Sequence, residues 1–257
     1  MGEDRFGRCI ESGILTSDSV RPRFYGRRRG KPLRPGRQFL VDGLLPTIRV
    51  AVPEEGKTLD PLTLFETASR DAMFDRVWIE IGFGGGEHLI HQATTNADVG
   101  IIGFEPFVNG VSTALRAIAD HDIQNIRIFD DDARLLLPQI REKSIDRVFV
   151  LFPDPWPKQR HWNRRVFNTV LLDTLAFLMK DGAELRFASD HMGYVRWALR
   201  HVQMHPYFDW MASRPEDWRN RPEDAIETRY EAKGRGKGDA PVFLSFQRLT
   251  RAKIDAT

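Results

Sequence analysis

Val77-Trp78-Ile79-Glu80-Ile81-Gly82-Phe83-Gly84-Gly85-Gly86-Glu87 is the stretch from which the fold can be read. A short, nearly continuous apolar run ends in a glycine turn, and a helical pattern begins directly after it. That is the grammar of a strand buried on both faces, a tight turn, and a crossover helix. Further along the chain, strands are expected at 101–104, 126–129, 147–152 and 183–188, with helical spacing at 87–94, 107–121, 134–142, 163–180 and 192–201. Alternation of this kind predicts an α/β, Rossmann-like fold with a mostly parallel sheet and helices on both faces, its ligands held at the carboxyl ends of the strands. A last apolar run at 241–246, opened by Pro241, is expected to add an antiparallel edge strand, where a proline loses no needed ladder bond.

The turn itself is informative. Gly82 and Gly84 leave the backbone bare to an approaching ligand, and the second strand ends in Glu105, 25 residues after Glu80, where a carboxylate can accept both hydroxyls of a ribose. NAD and S-adenosyl-L-methionine both contain that adenosine half. Counting GxGxxG from Gly82 puts Glu87 where a dinucleotide fingerprint has Gly or Ala, and a carboxylate there would repel pyrophosphate. S-adenosyl-L-methionine carries cationic ammonium and sulfonium groups instead, which suit the acids Glu80, Glu105 and Asp132. Asp132 closes the run Asp130-Asp131-Asp132 after the third strand and could accept from the adenine amino group; one of the three is explained equally well as a helix N-cap.

After the fourth strand comes Pro153-Asp154-Pro155-Trp156-Pro157-Lys158, with three prolines in five residues. They stiffen the turn and hold Asp154 and Trp156 at the sheet's carboxyl edge. A base taken out of its stack could lie on Trp156 and donate to Asp154; the plainer reading is a rigid turn over a buried Trp.

Composition frames these motifs. A chain of 257 residues, 41% hydrophobic and 29% charged, can bury a full core. Met1-Gly2-Glu3-Asp4 begins no apolar export segment, and no run approaches a membrane span, so a cytoplasmic protein is expected. The single Cys9 and seven scattered His match no zinc spacing, and no metal is expected. The net charge of +2 conceals the run 21–37, which carries eight Arg and Lys and no acid. We read 1–57 as a basic, flexible arm and extension, able to neutralise phosphates, and 58–257 as the catalytic domain, with a long polar loop near 212–240. No partner subunit is implied, leaving monomer or homodimer.

With these motifs assembled, the chain resembles the bacterial tRNA (guanine-N7-)-methyltransferase family. The resemblance rests on Glu80-Ile81-Gly82-Phe83-Gly84, Glu105, Asp132-Ala133, the turn from Pro153 to Lys158 followed by His161-Trp162-Asn163-Arg164-Arg165, Ala188-Ser189-Asp190 and Thr228-Arg229-Tyr230-Glu231, in the family's order over about residues 75–247. It implies a class I methyltransferase fold, S-adenosyl-L-methionine as donor and N7 of a guanine in the variable loop of tRNA as acceptor. Carried over by position, it implies Asp154 as catalytic residue. The donor would be held by Glu80, Gly82, Gly84, Glu105, Asp132 and Asp154, and the substrate by Lys158, Asp190, Thr228, Arg229, Tyr230 and Glu231. Ser189 stands where the pattern often has Thr, which keeps the hydroxyl. The residues by themselves leave other readings open: methylation of an exocyclic base amine, an inactive tRNA-binding module, and, last, a nicotinamide oxidoreductase.

Overall fold

The computed structural model describes residues 23–66, 74–234 and 240–250. Cys9, Arg21 and the first part of the expected arm therefore lie outside the described residues, as do 235–239 of the expected loop. Seven strands form one sheet: β1 Arg76–Ile81, β2 Val99–Phe104, β3 Ile126–Phe129, β4 Ile145–Leu151, β5 Met179–Ser189, β6 Phe208–Trp210 and β7 Val242–Arg248. Their order is β3-β2-β1-β4-β5-β7-β6. The first five are mutually parallel, while β7 runs antiparallel to β5 and β6. The C-terminal strand is antiparallel as its sequence suggests, but it is not outermost. The three-residue β6 flanks it, a piece too short to carry a readable period.

Side chains alternate across the sheet, as the strand period of two requires. Along β1, Val77, Ile79 and Ile81 enter one core with Leu172 and Leu175 of α5 (Thr169–Leu178) and Val195 and Ala198 of α6 (Met192–Gln203). Trp78 enters the opposite core with Leu89 of α3 (Glu87–Thr95) and Leu115 of α4 (Val108–Asp120). Glu80 shares the parity of Trp78, so its side chain is delivered to the α3 side. The chain leaves β1 toward β2 and β3 and returns to β4 on the other flank, which opens a crevice at the carboxyl ends of β1 and β4.

Three segments depart from the sequence expectation. The pattern at 134–142 forms two short 3-10 turns, Ala133–Leu135 and Leu137–Gln139, because Pro138 supplies no N–H to continue a helix. The expected helix at 163–180 starts later: Asn168 accepts from the Leu171 amide at 3.0 Å as N-cap of α5, and Gln159–Arg164 forms a separate 3-10 segment. The region before residue 58, expected to be a flexible arm and extension, contains α1 (Pro35–Gly43) and α2 (Leu45–Ile48). Proline at the first helical position loses no bond, so Pro35 can open a helix within the basic stretch. Residues 23–37 are also tied down: Val108 N donates to Arg28 O (3.0 Å), Gly30 N to Asn109 Oδ1 (2.7 Å) and Arg37 Nη1 to Thr113 Oγ1 (2.9 Å).

Candidate active site

The glycine turn follows β1. Gly82, Gly84 and Gly86 have φ of +79°, +57° and +86°, a region L-residues with a side chain enter at a cost. A Cβ added at Gly82 or Gly84 would meet nothing within 4 Å, whereas one at Gly110 would strike Gly84 O at 2.3 Å. The turn is thus pressed onto α4 behind and open in front. Glu105 fixes it: Oε2 accepts from Gly84 N and Oε1 from Phe107 N, both at 2.8 Å. Burial raises the pKa of this carboxyl, the two backbone donors oppose the rise, and the negative charges of Asp154 and Glu80 add to it. Each oxygen keeps a second lone pair, so Glu105 can frame the turn and still accept from a ligand. Nothing in the spacing of residues 80–105 reveals that framing role.

Glu80 is 3% exposed and its Oε2 lies 2.9 Å from His88 Nδ1. Asp132 stands just past the end of β3, where it caps the first 3-10 turn through Arg134 N (3.1 Å) and grips the Arg134 guanidinium in a fork of 3.0 and 2.5 Å. The adjacent acids are likewise engaged, Asp131 by Arg28 at 2.6 Å and Asp130 by Arg49 at 2.8 Å.

Across the crevice, the exposed Asp154 sits between two non-glycine residues with left-handed backbone, Phe152 (φ +49°) and Trp156 (φ +42°). Such conformations persist only where the surroundings impose them. Here the constraint is visible: Arg165, 2% exposed, donates from Nε to Pro155 O at 2.9 Å and is ringed by Trp162, Tyr194 and Trp197 at 4.9–5.0 Å. On the outer side, Arg164 lies between the rings of Tyr25 (4.7 Å) and Trp156 (4.9 Å). No sequence pattern signals the partners of either arginine. Lys158 is exposed at the head of the 3-10 segment.

Thr228-Arg229-Tyr230-Glu231 proves to be a capping box at the start of α7 (Arg229–Gly234). Glu231 Oε2 accepts from Thr228 N (2.8 Å) and Oγ1 (3.1 Å), and Glu231 N donates back to Thr228 Oγ1 at 3.3 Å. Its other oxygen takes Arg221 at 2.7 Å. The box places Arg229 3.3 Å from Glu87 at the helix after the glycine turn, and Tyr230 5.7 Å from Phe152. Burial, then the charges of Asp190 and Asp154, raise the Tyr230 phenol. Beneath this loop, Asp224 binds Arg186 (2.5 Å) and Arg147 (3.2 Å), which also share Glu184. Burial acts to raise the Asp224 pKa, but the arginines outweigh it and hold it below the usual range.

Glu80, Gly82 and Gly84 stand at the carboxyl end of β1, Glu105 follows β2, Asp154 follows β4 and Asp190 follows β5, so all lie at one edge of the sheet, and Tyr230 packs against Phe152 there; Asp132 follows β3, two strands from β1. Among the described residues no group of His, Cys, Asp and Glu could hold a metal, and no helix is long and apolar enough to cross a membrane.

The strand order and the acid-framed glycine turn mark a methyltransferase of the Rossmann-like class I fold, and a family model described as "Putative methyltransferase" matches residues 75–244. The solved structure of PH0851 shares the fold at 16% identity, with a TM-score of 0.51 over 69% of this chain and 44% of that one. More particularly, the tRNA (guanine-N(7)-)-methyltransferase of Rhodospirillum rubrum is 52% identical over 237 residues, 91% of each chain. That of Paramagnetospirillum magneticum is 45% identical over 95% of this chain and all of its own. This chain belongs to the tRNA (guanine-N(7)-)-methyltransferase family.

Proposed function

We propose that this chain transfers a methyl group from S-adenosyl-L-methionine to N7 of a guanine in tRNA, with Asp154 in the catalytic role. The observation that supports the reading is the turn after β4, in which Phe152 and Trp156 both take left-handed backbone around Asp154, at the carboxyl end of the strand next to β1 and its glycine turn. The donor set fits a cationic nucleoside: bare glycine backbone in front, and Glu80 and Glu105 with lone pairs to spare. When bound, S-adenosyl-L-methionine supplies an electrophilic methyl group. Glu105 and Glu80 would hold it, with Gly82 and Gly84 leaving room for it.

Guanine N7 has an in-plane lone pair and no proton, so no residue must act as a base; positioning dominates. Asp154 accepts from the guanine N1 and N2 hydrogens, orients the ring, and opposes the positive charge the purine acquires. Trp156, already stacked with Arg164, offers a face for the base. Lys158 and the exposed cations of 23–37 neutralise phosphates, while Asp190 and the box at Thr228–Glu231 border the substrate side. Asp132, engaged by Arg134, would reach the adenine end of the donor only with its outward lone pairs.

Incubation with bulk unmodified tRNA and methyl-labelled S-adenosyl-L-methionine, followed by nucleoside analysis, tests donor, acceptor and atom together. N7-methylguanosine, with chain cleavage after borohydride and aniline, is expected; label in an exocyclic amine would replace this reading with the alternative.

A further inference from the structure

Two polar side chains on α3, His88 and Gln92, are 3% and 1% exposed, and polar groups so buried persist only when hydrogen-bonded. They stand one helical turn apart, on one face. The two amide hydrogens of Gln92 are both used, on Asp224 O at 2.7 Å and on His88 Nε2 at 3.2 Å, and its Oε1 lies 3.4 Å from the Asn96 amide. Donation to a backbone carbonyl fixes which end of the Gln92 amide is nitrogen. His88 Nε2 therefore accepts, the ring's proton sits on Nδ1, and Nδ1 donates to Glu80 Oε2 at 2.9 Å. The result is a connected path in which Gln92 donates both ways, to the Asp224 carbonyl and to His88, and His88 donates onward to Glu80.

Its ends belong to different halves of the site. Asp224 is in the substrate-side loop, clamped to the sheet by Arg147 and Arg186, and Glu80 is in the donor pocket. His88 also lines the cleft under that loop together with Pro222, Ala225 and Thr228.

We infer that His88 and Gln92 are positioning residues that couple docking of the 221–231 loop to donor binding by setting the orientation of Glu80. The inference rests on the proposed donor role of Glu80. When the loop lifts, the Asp224 carbonyl leaves, Gln92 is free to turn, and nothing holds the His88 proton on Nδ1. A ring protonated at Nε2 alone would aim a lone pair at the Glu80 carboxylate and drive it out of place. By linkage, a donor bound at Glu80 must favour the docked loop by the same factor.

The test uses S-adenosylhomocysteine as probe, calorimetric binding, and amide hydrogen exchange over residues 221–234 of the full chain. In the unaltered protein, saturating probe is expected to slow exchange in that segment about fivefold or more. Gln92→Leu and Gln92→Glu, neither of which touches the pocket, should weaken probe binding by a comparable factor and abolish the slowing. His88→Asn is the discriminating variant: its amide can stand where Nδ1 stands and donate to Glu80, but cannot reach Gln92. It should bind the probe nearly normally while the loop no longer responds, a split that general loosening of α3 would not produce. Retained slowing in Gln92→Leu overturns the coupling. So does uniform loss of probe binding in all three variants with lowered melting temperatures. Failure of the unaltered protein to bind the probe would instead refute the donor reading of Glu80.

Discussion

Glu105→Gln separates charge from shape at the residue that frames the glycine turn. In the native site each carboxylate oxygen accepts one backbone N–H at 2.8 Å. A glutamine keeps one such bond and turns an NH2 toward the other donor, so Gly84 N or Phe107 N loses its partner. A hydrogen bond to a charged acceptor contributes about 1.5–3 kcal/mol, but removing a buried negative charge relieves the desolvation that raises this group's pKa. The net fall in stability at neutral pH is expected to be about 1 kcal/mol. Donor affinity has no such offset, because the cation loses both a charge and an acceptor. About 2 kcal/mol is expected, equivalent to about a thirtyfold rise in the dissociation constant measured by calorimetry. The pH dependence has a defined sign. A carboxyl whose folded pKa is raised favours folding when protonated, and that contribution is lost as pH rises from the unfolded value through the folded one. A cationic donor prefers the ionised form, so native affinity should strengthen as pH rises through the raised value, and the variant should lack that rise. A dissociation constant within about threefold of native, with the same pH profile, would refute the argument.

Asp154→Asn should slow single-turnover methylation by roughly 10²-fold while changing tRNA binding far less; a near-normal rate in folded protein removes Asp154 from the chemistry. Glu231→Ala breaks the capping box and strands Arg221, so the Michaelis constant for tRNA should rise about tenfold and the Ala232 amide exchange faster. An unchanged constant would make the box irrelevant to substrate. Replacing the exposed Arg27, Arg29, Lys31 and Arg34 with Gln should reduce the slope of log binding constant against log salt by about 0.7–0.9 for each phosphate no longer neutralised. If the slope stays the same, these cations face no nucleic acid.

The order of strands and helices can be read locally, because β1, β2 and β3 are buried on both faces and leave continuous apolar runs bounded by turn residues, while β4 and β5 keep apolar stretches at 148–150 and 187–188. The glycine turn, the acids after the first three strands and the three-proline turn are legible for the same reason: each depends on side chains within a few positions of one another. The limits are also physical. Pro35 reads as a breaker unless it falls at the first helical position, and Pro138 breaks a pattern that is otherwise helical, so propensity alone misjudges both segments. Thr228 and Glu231 have the spacing of a capping box, but only the folded chain sets that box against Glu87 and Phe152. Nothing in the sequence pairs Asp224 with Gln92, 132 residues away, or Arg165 with the Pro155 carbonyl. Such bonds join groups made neighbours by the crossing of elements, whose packing and burial arise only on folding. From the chain alone come the α/β order, the open turn and the identity of the acids at the strand ends. Which of those acids are already engaged by the protein's own donors is settled by tertiary packing, because the donors arrive from distant segments.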